Sequence, residues 1–292
     1  MRQVGQALLI TVILAVIAEV AAGWVWPVEN VVVARTFGQY VDGEPMRAVD
    51  LGGTDRAVSA VADGTVVAVF APSGRPTDPL GYAVVIVHDN GLRSMYAHLA
   101  DQPRVRVGER VAIRAPIGVY SGATGRSGLS DSDALRFSVY DPATESYVNP
   151  LTLLPPVPDT IRPAVRIVYA VGDAGTFDLL ASSELPPGAY DILVGAVDRV
   201  GGAGAPLVAV YSLSAAITGS EPRRIRFDAL RHGDPPVVLP DRVALPVHDR
   251  DGLLRVGRLQ VADVPIIVEI TARDYAGNTT VRSVRIEPRP PE

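Results

Sequence analysis

Short apolar–polar alternations, each closed by a glycine or proline turn, recur from Val31 to Glu287. "AVSAVADGTVVAVF", "GYAVVIVHDNGLRSMYAHL" and "IIVEITARDYAGNTTVRSVRIEP" are three of them. A two-residue period puts alternate side chains on opposite faces of a strand, whereas a helix needs its apolar residues three and four apart. No stretch in this range sustains the helical period. Val dominates the apolar set, and 27 Gly and 25 Pro punctuate the 292 residues. β-branched runs bounded by Gly and Pro are strand and turn chemistry. The expected fold class is therefore all-β.

Two runs of strands are expected. The first spans about 31–154. It is followed by "NPLTLLPPVPDTIRP", with prolines at 150, 155, 156, 158 and 163. Proline-rich segments are extended and stiff, so 155–163 reads as a linker between independently folding units. Strand-like runs resume in "AVRIVYAV" and continue over 164–288. Their regular turn spacing suggests an immunoglobulin-like β-sandwich at about 160–288.

The N-terminus bears on compartment. Arg2 precedes a largely apolar stretch from Ala7 to Ala18, interrupted by Glu19. Such a length suits a signal peptide and falls short of the roughly 20 residues that span a bilayer. Val20 and Ala22 place small residues for cleavage after Ala22. Residues 1–22 are thus expected to be a signal peptide or an N-terminal anchor. In the anchor reading the apolar segment runs over 7–27, with Trp24 and Trp26 at the membrane interface. Export to the periplasm or cell envelope follows in either case. The net charge of −5 offers no basic footprint, so nucleic acid is not an expected partner. Without cysteine there are neither disulfides nor thiolate metal sites.

The first unit carries an ordered set of motifs: "TFGQY", "AVSAVADGTVVAV", "GYAVVIVHDNGLRSMYAHL", "VRVGERV", "IGVYSGATG" and "LRFSVY…VNPLTLL". In that order they resemble the lysostaphin or LytM-type zinc peptidases, which cut peptide cross-links in bacterial cell walls. The resemblance covers roughly Thr36 to Leu154. It implies a zinc held by His-x-x-x-Asp and by the second His of a His-x-His. It also implies catalytic roles for the first His of that pair and for a His in Tyr-x-His-Leu. Here the first motif reads "MRAVD", with Met46 in the histidine's place and Asp50 retained. The last reads "ALRF", with Ala134 and Arg136 where both histidines belong. His98, in "YAHL", is kept.

These replacements speak against zinc on chemical grounds. A catalytic zinc takes about three protein ligands and an open position for water. Met is a soft ligand suited to copper(I), and Arg has no lone pair to give. Neither metal nor cofactor is therefore expected. His98 is read as vestigial, with a structural hydrogen-bonding role as its plainer alternative. Asp50 is read as the partner of Arg136 in an ion pair at the old metal position, or else as a turn residue before "LGG". Met46 is then a filler of apolar space. His88, His232 and His248 are not expected to rebuild a site. Asp198 and Asp274 are turn residues beside glycines, with calcium ligation as the alternative. The acidic "SDSD" at 130–133 reads as a solvated loop tip.

Several non-catalytic members of the family bind and activate cell-wall amidases. The resemblance therefore implies an exported pseudopeptidase that binds peptidoglycan or a cell-wall hydrolase. An active zinc endopeptidase with an atypical site and a purely structural envelope protein are the alternatives.

Overall fold

The structure, a computed structural model, describes residues 23–53, 55–72, 80–121, 134–231 and 252–289. Residues 1–22, the acidic 130–133 tip, His232 and His248 lie outside the described residues. Apart from one 3-10 turn at Pro150–Thr152, every regular element described is a strand.

An antiparallel sheet organises the first unit. Its order is Val32–Arg35, Val49–Gly52, Leu135–Asp141, Arg93–Leu99, Tyr82–His88, Gly64–Phe70 and Arg110–Val111. Alternation decides what each face carries. Val33 pairs with Leu51 and Leu51 with Leu135, while Val49 pairs with Phe137, Phe137 with Tyr96, and Tyr96 with Val84. These seven side chains are almost fully buried and form the core face. Arg35, Asp50, Arg136 and Ala97 pair in one row across four strands. By the period of two Asp50, Arg136 and Ala97 project to the opposite face, and Arg35 joins their row through a register slip after Val33.

Trp24 does not take the interfacial place that the anchor reading gave it. It is buried in the core, its ring tilted against His88 at 4.8 Å and edge-on to Phe137 at 6.5 Å between ring centroids. The Val25 amide also bonds the Val61 carbonyl at 2.9 Å. The first unit's packing thus begins ahead of residue 31, and Trp24 is committed to protein rather than to a membrane interface.

The second unit has two five-stranded sheets. One contains Gly175–Asp178, Ala164–Gly172, Gly188–Asp198, Val208–Ala209 and Leu254–Val261. The other contains Glu184–Leu185, Thr279–Pro288, Ile266–Arg273, Ser212–Ile217 and Arg223–Arg226. In the strand Ile266–Arg273, Ile266, Val268, Ile270 and Ala272 are buried. Ile267, Glu269 and Arg273 between them are exposed, as the alternating sequence requires. The sheets meet closely: a Cβ added to Gly257 would lie 2.8 Å from Ile217 Cδ1 on the facing sheet.

The linker does not keep the units apart. Ala229–Arg231, from the second unit, pairs antiparallel with Ser146–Val148 and so extends the first unit's sheet. Asn149 fastens the same seam. Its amide donates to the Asp228 carbonyl at 2.7 Å and its side chain to the Phe227 carbonyl at 2.6 Å. Thr36 Oγ1 donates to the Ala209 carbonyl at 3.0 Å. Phe227 sits over Gly38, where an added Cβ would lie 2.3 Å from its ring. One continuous apolar cluster runs through both units.

Candidate functional site

The row Arg35–Asp50–Arg136 is a direct product of register. Arg136 pairs with Asp50 across the Leu135–Asp141 and Val49–Gly52 strands. Arg35 reaches the other side of Asp50 because the register slips between Val33 and Arg35. A bulge of this kind re-aims one side chain. Arg136 grips the carboxylate with two bonds, Nε to Oδ1 at 2.9 Å and Nη2 to Oδ2 at 3.0 Å. Arg35 Nη1 adds a longer contact to Oδ2 at 3.4 Å. Asp50's side chain is fully buried, while those of Arg136 and Arg35 keep 19% and 20% of their exposure. The pair expected from the sequence therefore forms, and a second guanidinium joins it.

This arrangement does not suit a dication. Two permanent cations face one carboxylate, so the cluster carries a net positive charge. A divalent metal would have to displace guanidinium groups from the only acidic ligand of the three. Met46 is buried ahead of the Asp50 strand, and its backbone bonds Gly38 and Gln39. Ala134 is buried and offers only its carbonyl, which lies 3.3 Å from His98 Nδ1. The donor set fails to fit the zinc that the family resemblance implies. Among the described residues, no group of three His, Cys, Asp or Glu ligand atoms gathers at this site.

His98 is held in an unusual conformation. Three residues of the neighbouring strand, Tyr82 to Val84, oppose four, Tyr96 to Leu99, so one residue is extra. His98 takes up the extra residue with a left-handed φ of 63°. Its amide donates to the Leu80 carbonyl at 2.8 Å and its carbonyl accepts from the Ser121 amide at 2.7 Å. The bulge brings the imidazole to Ala134 and returns Leu99 to the core.

His88 is structural. Nδ1 faces the Asp63 carbonyl at 2.8 Å, which requires it to carry the proton, so Nε2 accepts from Ser94 Oγ at 2.7 Å. Burial pushes its pKa below the usual value, which keeps the ring neutral. Nothing in the sequence singled out Arg35, because its approach depends on a bulge with no clear local signature. Asp198 and Asp274 do come together, in the second unit, with Asp159 of the linker as a third member that the sequence reading had not included.

Residues 44–150 match the model of Peptidase family M23. A further family model, which bears no description, matches residues 162–288. No curated protein matches the chain. Among solved structures, a chain of the SpoIIQ–SpoIIIAH pore-forming complex is 26% identical, with a TM-score of 0.37 over 45% of this chain and 90% of that one. The catalytic domain of lysostaphin from Staphylococcus simulans is 24% identical, with a TM-score of 0.29 over 37% of this chain and 76% of that one. A solution structure of lysostaphin is 15% identical, with a TM-score of 0.36 over 88% of this chain and 94% of that one.

Proposed function

We propose that this chain, whose residues 44–150 are an M23 peptidase-family domain, is an exported, non-catalytic member that binds rather than cuts. Its expected ligand is peptidoglycan or a cell-wall hydrolase, and its expected place is the cell envelope. In this reading residues 1–22 direct export, Met46, Asp50, Ala134 and Arg136 mark the former metal site, and His98 is vestigial. The second unit, read as immunoglobulin-like from its two facing sheets, supplies a rigid support or a further contact surface.

One observation carries the proposal: both oxygens of Asp50 accept hydrogen bonds from Arg136. A metal-activated water needs a cation with several protein ligands to lower its pKa toward neutrality. A bidentate guanidinium supplies neither a Lewis acid nor an open coordination position.

The test is to incubate the full chain with isolated sacculi. We expect it to co-sediment with them, release no soluble wall fragments, and contain zinc well below one atom per chain. Chelator-sensitive release of fragments would establish the active endopeptidase instead. Failure to retain either sacculi or a wall hydrolase points to the purely structural alternative.

A further inference from the structure

Asp198 closes the strand Gly188–Asp198, in one sheet of the second unit. Asp274 follows the strand Ile266–Arg273, in the other sheet. Asp159 belongs to the Pro-rich linker. One carboxylate oxygen from each lies within 4.8 Å of the other two. Chain segments widely separated in sequence have therefore converged three acids on one point.

Two of the acids are positioned by hydrogen bonds. Asp274 Oδ1 accepts from the Asn278 amide at 2.8 Å and Oδ2 from Asn278 Nδ2 at 2.8 Å. Asp159 Oδ1 accepts from the Ile161 amide at 2.9 Å. Asn278 Nδ2 also reaches the carbonyls of Asp159 and Ile161, at 3.2 and 3.3 Å, which draws the linker to the loop after Asp274. Asp198 is different. It is 97% buried, at 3% exposure, and neither of its carboxylate oxygens has a hydrogen-bond partner. Among the described residues none of the three acids forms an ion pair.

A buried carboxylate without partners, beside two more carboxylates, is costly unless a proton or a cation joins it. Burial pushes the Asp198 carboxyl up to about 6, and Asp274 and Asp159 push in the same direction. The nearby Arg199 backbone N–H opposes burial more than either acid reinforces it, though it makes no hydrogen bond of proper geometry to either oxygen.

We propose that Asp159, Asp198 and Asp274 bind a calcium ion that clamps the linker to both sheets of the second unit. All-oxygen, carboxylate-rich donors suit a hard cation and not zinc. Calcium bonds oxygen at about 2.3–2.6 Å, so its ligands can stand up to about 5 Å apart, and three oxygens within 4.8 Å of one another meet that span. Magnesium demands near-ideal octahedral geometry and gives up water reluctantly, which suits three carboxylates from separate chain segments less well than calcium's flexible shell. A cleft of roughly 300 Å³, bordered by Asp159, Val200, Tyr275 and Ala276, opens beside the cluster and gives entry to the ion and its remaining water ligands. The clamp reaches the first unit through the next residue. Tyr275 Oη accepts from Asn149 Nδ2 at 3.1 Å and lies 3.5 Å from the Phe37 carbonyl. An ion here therefore steadies the junction between the two units, whatever the first unit binds.

The test is thermal unfolding of the full chain in about 1 mM Ca²⁺, the upper range for extracellular calcium modules, against EGTA. We expect Tm to rise by about 3 °C or more, as tenfold saturation of one site gives for a chain of this size. Calorimetric titration should give one Ca²⁺ per chain, and equal Mg²⁺ should give less than half the shift. Asp198→Asn keeps the shape, removes the charge, and should abolish both the shift and the titration heat. If that variant does not fold, Asp159→Asn in the linker serves the same purpose and should weaken binding at least tenfold. Three results each overturn the proposal: no calcium-dependent shift, a larger shift with Mg²⁺ than with Ca²⁺, or undiminished calcium binding in both variants.

Discussion

Asp50 shows what a fully buried carboxylate requires of its neighbours. Its carboxylate is fully buried, and Arg136 supplies the charge and two hydrogen bonds that make burial tolerable. Breaking a buried pair by removing one partner costs about 3–5 kcal/mol, against about 0–1 for an exposed pair. Arg35 remains as a second cation and Arg136 is partly exposed, so the loss here falls between the two ranges. Arg136→Ala is expected to destabilise the chain by about 2–3 kcal/mol in urea unfolding. Combining it with Asp50→Asn should cost less than the sum of the two single losses, because the residues are coupled. Additive losses would mean the pair does not act as a unit.

Asp198 makes a second residue-scale prediction, with the opposite sign. Its folded pKa is raised, to about 6, so the folded chain holds this proton more tightly than the unfolded one. Stability from this group is therefore present at low pH and is lost as pH rises from about 4 through about 6. The groups facing it are Asp159 from the linker and Asp274 from the other sheet, both raising its pKa. Tyr275 stays neutral because burial holds its hydroxyl well above its usual pKa. In EGTA, Asp198→Asn should gain stability relative to the parent as pH climbs over that window and then level off. A flat difference from pH 4 to 7 would show that Asp198 does not titrate there.

Among the elements, the 3-10 turn at Pro150–Thr152 does more than end the first unit. Asn149 caps it by accepting from the Leu151 amide at 3.0 Å, while its Nδ2 binds Phe227 and Tyr275 across the seam. The residue is fully buried. Asn149→Ala leaves a buried carbonyl and an orphaned cap amide. At about 1 kcal/mol for the cap and about 1–3 for an unsatisfied buried group, it should cost roughly 2–4 kcal/mol by chemical denaturation. Asn149→Asp keeps the cap and loses the donor, so it should separate the two contributions. The His98 bulge makes a related point. One inserted residue with positive φ decides which way a ring faces, and strict alternation would have turned it to the other side of the sheet.

At the scale of the whole molecule, the two units meet as parts of one body. Ala229–Arg231 completes the first unit's sheet, and Phe227 and Leu230 are buried. A fragment of residues 160–292 would lose that pairing and expose both side chains. We expect the full chain to unfold in a single cooperative transition, and the fragment to be poorly soluble or partly unfolded by circular dichroism. Gly38→Ala probes the same junction. Its φ of 77° and the overlying Phe227 ring penalise any side chain. About 1–2 kcal/mol of backbone strain and about 1–3 of overpacking should lower the stability of the whole chain. Two resolved transitions in the full chain would overturn the picture of a shared core.

Period-two alternation and Gly and Pro turns are written in consecutive residues, so the all-β class was legible in the sequence, as was the order of motifs marking the first unit. The Asp50–Arg136 pair was legible too, because the motif order places both residues on adjoining strands and a retained acid needs a cation. The sequence could not show that Arg35 reaches the same carboxylate, since that depends on a slip between Val33 and Arg35. Nor could it show that Trp24 packs against Phe137, or that Asp159 joins Asp198 and Asp274. The Pro-rich segment reads locally as a spacer, yet a strand from beyond it completes the first sheet. Local patterns record which face a side chain takes within its own strand. Only tertiary structure decides which strands become neighbours and in what register, because that choice balances burial and hydrogen bonding over residues far apart in the chain.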